Sequence, residues 1–381
     1  MGSKMLIRLA RFMRGSCAIR FFVVLLQCRM FHPKYQLTDK IVHLLTAISE
    51  GKAVIERARI LPQQELKLRR QALIRMTHSS TAIEGNILNV REVEALANKQ
   101  KITAPVRDIY EVENYLKALK YIDQVVKEKK VITKQVILKI HRLVTTNTLP
   151  VGSSGKYRKH MVYVVRRYAD GRQEIMYTAA AVNAVPKLMD NLIEWMQYSI
   201  KEQINPVIVA GIVHQEIAAI HPFADGNGRT ARALATLVLY QRGYDFRHLF
   251  ALEDYYNNDR PAYYAAINIG KDYDTRRQDF TPWLEYFING FKEEIDLVRR
   301  KIFSLPVKLK DLNIDTQIFL DKDQVTILDF LGSLGRLTIS DVVDILHCPK
   351  RTAQLHLQKL KKIKMIAAHG KGKATYYRLK K

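Results

Sequence analysis

The twelve residues from His221 to Arg232, HPFADGNGRTAR, constrain the fold of this chain more than any other segment. An apolar run from Val207 to Ile220 leads in and a second, Arg229 to Tyr240, leads out, so the segment reads as a tight turn between two helices. It holds an imidazole, a carboxylate, two glycines around an asparagine, and two arginines. Gly226 and Gly228 permit positive φ and close backbone approach. N–H groups just ahead of a helix N-terminus form an anion-binding concavity. The spacing of Arg229 and Arg232 predicts one helix face from which both fork onto phosphate oxygens. Asp225 is a hard oxygen ligand suited to Mg²⁺. His221 titrates near neutrality and suits a general base. Together they make a turn that can hold a nucleotide's phosphates.

The histidine spacing argues against a zinc hydrolase. His214 lies seven residues before His221, a rise of about 10 Å on a helix, too far for both to ligate one ion. H-E-x-x-H is absent, and His214 reads as a packed or hydrogen-bonded residue.

Upstream, residues 31–130 read as helices, with three- and four-residue apolar spacing at Leu37–Ala53, Gln64–Ser80, Val90–Gln100 and Ile109–Val126. Glu84-Gly85-Asn86 ends one of them, glycine being a natural cap. Residues 131–300 read as the core. Within it, Thr133–Thr145, Val185–Gln203, Tyr263–Gly270 and Thr281–Glu294 are helical. Lys159–Arg167 and Gln173–Thr178 alternate as strands around Ala169-Asp170-Gly171, a hairpin signal. Residues 301–321 are a linker. In residues 322–381, helices Gln324–Leu331, Thr338–Leu346 and Lys350–Ile363 precede a hairpin, Met365–Ala368 and Ala374–Leu379, that turns at Gly370-Lys371-Gly372-Lys373. This is the helix-turn-helix plan with a wing, and it predicts nucleic-acid binding by a unit separable from the chemistry.

The formal net charge of +25 sits at the ends. Residues 1–30 hold six basic residues and no acid, and residues 349–381 hold eleven and no acid. Such tails suit a polyanion better than they suit an enzyme core. Cys17, Cys28 and Cys348 form no disulfide framework and no metal spacing, which points to a reducing cytoplasm. Arg8, Arg11 and Arg14 precede Phe21–Leu26, an apolar run like a secretory h-region. Arg20 interrupts it, no small-residue cleavage site follows, and it is too short to span a bilayer. Residues 1–30 are read as a dispensable basic and apolar extension with Met30 as the functional start; a membrane-surface or targeting segment is the alternative. No transmembrane segment is expected.

The His221–Arg232 run resembles the signature of the Fic (fido) family, H-x-F-x-(D/E)-G-N-G-R-x-x-R, with every defined position filled. Gly155-Lys156-Tyr157-Arg158, Val185-Pro186-x-Leu188-Met189 and Tyr263-Tyr264 are similar to family landmarks. Where the family often has a proline run after its flap, this chain has Tyr177-Thr178-Ala179-Ala180-Ala181. The resemblance covers roughly residues 31–297. It implies a mainly α fold, a Fic-type helical core with a β-hairpin flap, here followed by a small α+β winged helix.

The resemblance also implies an activity, the transfer of AMP from ATP to a Ser, Thr or Tyr hydroxyl of a protein, itself included, releasing pyrophosphate. His221 would take the hydroxyl proton, and Asp225 would hold Mg²⁺ across the α- and β-phosphates. Asn227 and the N–H groups of Gly226 and Gly228 would stabilise the equatorial oxygens. Arg229 and Arg232 would hold the β- and γ-phosphates. Thr230 and Ala231 complete the nucleotide-binding turn, Tyr263 is a base contact by resemblance, and Phe223 is an apolar anchor. The flap residues Val162, Tyr163, Val164 and Val165 would pair with an extended target segment.

Ser80-Thr81-Ala82-Ile83-Glu84-Gly85 matches the family's inhibitory motif, (S/T)-x-x-x-E-(G/N). A Glu84 carboxylate paired with Arg232 would deny that arginine to the γ-phosphate; Ser80 and Gly85 complete the motif. Two other readings share these residues: a hydrolase removing AMP from a modified protein, with Glu84 positioning water, and a nucleotide-sensing regulator whose output is the winged helix. Intact His221 argues against the regulator, since binding alone needs no base. A homodimer is compatible with all three.

Overall fold

A helix apolar on every side can be stable only in the middle of a protein. In the computed structural model of this chain the helix before the turn, Pro206–Ile220, is that element, with almost every residue buried. The structure describes residues 31–304 and 320–380, apart from positions 59, 169, 371, 373 and 374. The N-terminal extension with Cys17 and Cys28, most of the expected linker, and Lys371 and Lys373 at the expected wing turn lie outside the described residues.

The protein is mainly helical. In chain order come α1 (Asp39–Arg57), α2 (Pro62–Ile83), α3 (Val90–Ala97), α4 (Val106–Lys127) and α5 (Lys134–Thr145), then the strands β1 (Tyr163–Arg167) and β2 (Gln173–Thr178). Next are α6 (Val185–Lys201), α7 (Pro206–Ile220), α8 (Asn227–Gln241), α9 (Leu252–Asn258), α10 (Arg260–Ile267) and α11 (Thr281–Phe303). The chain closes with α12 (Lys322–Leu334), α13 (Ile339–Leu346), α14 (Lys350–Lys362), β3 (Ile366–His369) and β4 (Tyr376–Leu379). Among the described residues no helix is long and apolar enough to cross a membrane.

Around α7 the core is tight. A β-carbon on Gly211 would collide with Leu284, and Trp283 Nε1 donates to the Gly211 carbonyl at 2.7 Å. Glycine thus lets α11 lie directly on α7. Two polar residues of α7 are paired with neighbouring segments. His214 Nε2 meets Tyr263 Oη at 3.0 Å, and Glu216 binds Arg276 at 2.7 Å.

Several boundaries differ from the sequence-based expectation, three of them for an evident structural reason. The first strand begins at Tyr163 rather than Lys159, because the Arg158 guanidinium takes the His160 carbonyl at 3.1 Å and removes that segment from the ladder. The helix expected at Tyr263 starts at Arg260, where Asp259 caps the Ala262 N–H at 3.0 Å. The helix from Thr281 continues to Phe303, since its apolar stripe runs on through Ile295, Val298 and Ile302.

The C-terminal helices and the antiparallel β3–β4 hairpin share a core of their own, Ile327, Leu331, Leu337, Val342, Leu357 and Leu360 among it. Leu66, from α2, completes that core. Arg69 NH1 lies 2.6 Å from Asp329 Oδ1, and Arg70 NH1 donates to the Gly332 carbonyl at 2.7 Å. The unit expected to be separable is therefore seated on the first half of α2, whose last turn leads to Glu84. Leu66→Ala should cost about 2–5 kcal/mol at this seam. The expected outcome is a lower melting temperature with earlier proteolytic release of the C-terminal unit; unchanged protease resistance would show the seam to be incidental.

Candidate nucleotide site

The site is the junction of α7 and α8. His221 caps α7 in the left-handed conformation, φ 51°, with its N–H on the Ile217 carbonyl at 3.0 Å. That conformation is uncommon for a residue with a β-carbon. Arg158 holds it from outside: Nε donates to the His221 carbonyl at 2.8 Å, and the Arg158 N–H to the Pro222 carbonyl at 3.0 Å.

The imidazole is oriented by its own helix. His221 Nδ1 lies 3.1 Å from the Ala218 carbonyl. A carbonyl accepts only, so Nδ1 carries the proton and Nε2 keeps its lone pair. Burial lowers the pKa of the ring, outweighing the Ala218 carbonyl and the carboxylates of Glu84 and Asp225 that raise it. The group is thus neutral at pH 7 and ready to accept a proton at Nε2.

The loop is stapled from within. Asn227 Oδ1 accepts the Phe223 N–H and its Nδ2 donates to the Phe223 carbonyl, both at 2.9 Å. The Asn227 amide is therefore committed to loop shape, and what this residue offers an anion is its backbone N–H. Gly226 has φ +78°, and a β-carbon there would strike Thr145. The first N–H groups of α8, from Asn227, Gly228 and Arg229, have no intrahelical carbonyl to bond and face the turn's concavity. Thr230 and Ala231 are buried, and Thr230 Oγ1 donates to the Gly226 carbonyl at 2.7 Å. Their side chains support the cradle without lining it.

The two arginines part company. Arg229, 1% exposed, turns toward α4 and α5, 3.4 Å from both Glu111 and the Val144 carbonyl and 3.6 Å from Asp225. Both were expected to fork onto phosphates from one face; here α8 is packed on several sides, and the Arg229 guanidinium points into the packing. Arg232 turns toward α2. Its Nε donates to Ser80 Oγ at 2.9 Å, and its NH2 to the Ser80 carbonyl at 2.8 Å and to Glu84 Oε1 at 2.7 Å. Burial opposes the Arg232 charge, but Glu84, with the phenols of Tyr263 and Tyr115, outweighs it and raises the pKa. Glu84 lies over the cradle so closely that a β-carbon on Gly228 would collide with its Oε1. Gly85, at φ +96°, turns the chain out of α2 immediately afterwards.

Tyr263 is 3% exposed, in an aromatic cluster with Tyr256 and Trp283, its hydroxyl on His214. Expected as a base contact, it packs here behind Arg232. Its neighbour Tyr264 is 49% exposed, and its hydroxyl donates to the Ile83 carbonyl at 2.9 Å, beside the Glu84-Gly85 turn.

The hairpin stands over this junction. The root of β2 is tied down by Thr178 N–H to the Lys271 carbonyl at 2.8 Å and by Tyr177 Oη to the Ala219 carbonyl at 3.1 Å. Val162 accepts the Ala179 N–H at its base. Tyr163, Val164 and Val165 are exposed along β1, which pairs with β2 on one side. A β-bulge falls between Val164 and Val165.

His141, on α5, carried no chemical signal in the sequence. Its ring stacks on Phe223 at 3.7 Å, its Nδ1 accepts the Gly155 N–H at 2.9 Å, and its Nε2 reaches the Asp225 carbonyl at 3.0 Å. Asp225 Oδ1 accepts the Gly226 N–H at 2.6 Å and Oδ2 the Arg107 guanidinium at 3.0 Å. One hard oxygen ligand beside a phosphate cradle fits a cation that arrives with the nucleotide. Among the described residues no group of three His, Cys, Asp or Glu could hold a metal ion by itself.

Residues 131–239 match the Fic/DOC family. The chain is 25% identical over 268 residues to Protein adenylyltransferase Fic of Drosophila willistoni, covering 70% of this chain and 47% of that protein. It is 29% identical over 191 residues to the protein of the same name from Nematostella vectensis, covering 48% and 42%. The chain thus spans about half the length of these curated relatives. In fold it is similar to a Fic family protein from Desulfovibrio desulfuricans G20, with a TM-score of 0.58, 24% identity and coverage of 92% of this chain and 98% of the other. A Fic-domain-containing signaling protein from Bacteroides thetaiotaomicron VPI-5482 gives 0.58 at 19% identity, covering 70% of this chain and all of that one.

The His141 environment sets a pH dependence. Burial, joined by the Arg229 charge, lowers its pKa to about 4 against the Asp225 carbonyl and carboxylate. Unfolded chain binds this proton near 6.5 and folded chain near 4, so stability should fall as pH drops through that window, by roughly 3 kcal/mol once both are protonated. His141→Phe should flatten this part of the stability profile. An acid limb unchanged by the substitution would assign the loss to other groups.

Proposed function

Because residues 131–239 match the Fic/DOC family, we propose that this chain is an autoinhibited protein adenylyltransferase of that family. It moves AMP from ATP to a Ser, Thr or Tyr hydroxyl of a protein, itself included. The observation that carries this reading is the His221 tautomer: Nδ1 is spent on Ala218, leaving Nε2 as a base beside a cradle of helix N-terminal N–H groups.

In this mechanism His221 Nε2 takes the hydroxyl proton as the oxygen attacks the α-phosphorus. The N–H groups of Asn227, Gly228 and Arg229 receive the charge on the equatorial oxygens. Mg²⁺, when bound with the nucleotide, neutralises phosphate charge, and Asp225 is the residue that would hold it. Arg232 takes the γ-phosphate and steadies departing pyrophosphate. Arg229 acts indirectly, by fixing Asp225 and Glu111. The exposed edge of β1 accepts the target as an added strand, which presents its hydroxyl to His221.

Glu84 inhibits by holding the Arg232 guanidinium at 2.7 Å over Gly228. Glu84→Gly should therefore raise transfer of label from α-labelled ATP to protein, self-modification first. Adding Arg232→Ala should cancel most of the gain, since both changes act at one contact. His221→Ala in the activated background should lower the rate about 10²–10⁴-fold with nucleotide still bound. Loss of AMP from a pre-labelled protein, without net labelling, would favour the hydrolase instead.

The C-terminal unit is the second element of this reading, a winged helix that binds duplex nucleic acid. It docks on α2 through α12, and on α14 Arg351, Gln358 and Lys362 are exposed along one side. Arg351→Glu with Lys362→Glu should weaken duplex binding by the full chain and flatten its salt dependence by roughly two in log–log slope. Absence of duplex binding at low salt would make the unit a protein-recognition element.

A further inference from the structure

The first turn of α4 reaches the Asp225 carboxylate. Arg107 NH2 donates to Asp225 Oδ2 at 3.0 Å, and its Nε donates to Glu111 Oε1 at 3.2 Å. Glu111 is buried and shared: Oε1 also lies 3.4 Å from Arg229 NH1, and Oε2 accepts Asn86 Nδ2 at 3.0 Å. Asn86 follows the Glu84-Gly85 turn, and its amide also donates to the Asp108 carbonyl at 3.0 Å. One helical turn thus ties the inhibitory segment and the Asp225 carboxylate together.

Both oxygens of Asp225 are engaged, and by different kinds of partner. Oδ1 is held by the Gly226 N–H at 2.6 Å and faces Arg229, which is 1% exposed and cannot leave without opening the core. Oδ2 is held by Arg107, whose side chain is 62% exposed and can swing into solvent. A divalent cation at Oδ2 would carry the same sign of charge as the guanidinium hydrogen-bonded to that oxygen, so each would weaken the other's hold on it.

We propose that Arg107 is a cationic latch on Asp225, occupying the oxygen a nucleotide-borne divalent cation needs and setting how readily that cation enters. The proposal rests on the reading above that Asp225 is the residue that would hold the cation. It makes the inhibited state double. Glu84 withholds the γ-phosphate's arginine, and Arg107 withholds the cation's carboxylate. Both are joined through Asn86 and Glu111.

The test uses the full chain carrying Glu84→Gly and a fluorescent, non-hydrolysable ATP analogue. The quantity read is the ratio of its affinity in Mg²⁺ to its affinity in EDTA, which requires no turnover. Arg107→Gln keeps a polar, hydrogen-bonding side chain and removes the charge. It should raise that ratio about two- to fivefold, the range of an exposed charged pair, with affinity in EDTA no lower than the parent's. A loss of affinity of equal size in Mg²⁺ and in EDTA would mean that Arg107 grips phosphate, and would overturn the latch. No change in the ratio would overturn it too. Asp225→Asn tests the underlying reading separately: it should bring the ratio near one. If it does so while Arg107→Gln leaves the ratio at the parent value, the latch alone is wrong. If the ratio survives Asp225→Asn, Asp225 is not the cation's ligand, and the reading fails whatever Arg107 does.

Discussion

A buried guanidinium needs a counter-charge, and here Glu84 supplies it to Arg232. The Arg232 side chain is 1% exposed, and Glu84 retains 30% of its surface. The pair is thus asymmetric, with a fixed cation and an anion that reaches it from the edge. Removing one partner of such a pair typically costs about 3–5 kcal/mol, because the charge left behind is desolvated. Any group that displaces Glu84 must therefore be anionic and must reach the same depth. A terminal phosphate meets both conditions. The Glu84–Arg232 contact is in this sense chemically similar to the contact that the proposed nucleotide would make there.

The rest of the molecule supports that pair from several directions. The α2 helix that delivers Glu84 is anchored along its length: Leu66, Arg69 and Arg70 seat the C-terminal unit, and Arg75 binds Asp254 at 2.8 Å. At its end Tyr264 takes the Ile83 carbonyl. The cradle is held with similar redundancy by His141 on Phe223 and Gly155, by Arg158 on the His221 and Pro222 carbonyls, and by Asn227 on Phe223. Backbone N–H groups that must receive developing charge gain from being fixed before the reaction. This loop is fixed by Asn227 from within the twelve-residue run and by His141 and Arg158 from outside it.

That division explains what the sequence could and could not disclose. The turn between two apolar helices, and the carboxylate upstream that answers one of its arginines, were legible because each is a contiguous pattern. The mainly helical fold and the hairpin strand Gln173–Thr178 followed from periodicity. The separate directions of Arg229 and Arg232 were not legible: helical spacing puts them on one face, but which neighbours flank that face is a tertiary fact. Asn227 looked like a ligand because an amide in a glycine-rich turn can bind phosphate, and only the geometry commits it to Phe223. His141, Arg107 and Glu111 gave no local sign. Each sits on a helix whose pattern is ordinary, and each matters because a residue about 80 to 120 positions away meets it.

The central claim is that Glu84 competes with the third phosphate for one guanidinium, and the most direct measurement isolates that phosphate. Affinities for ATP and ADP should be compared by calorimetry on the wild-type chain and on Glu84→Gly. The account predicts that the wild type binds the two nucleotides about equally, since its γ-phosphate finds Arg232 taken, whereas Glu84→Gly prefers ATP by about tenfold or more, as a buried charge-assisted contact implies. An ATP-to-ADP ratio that is the same in both proteins would contradict it.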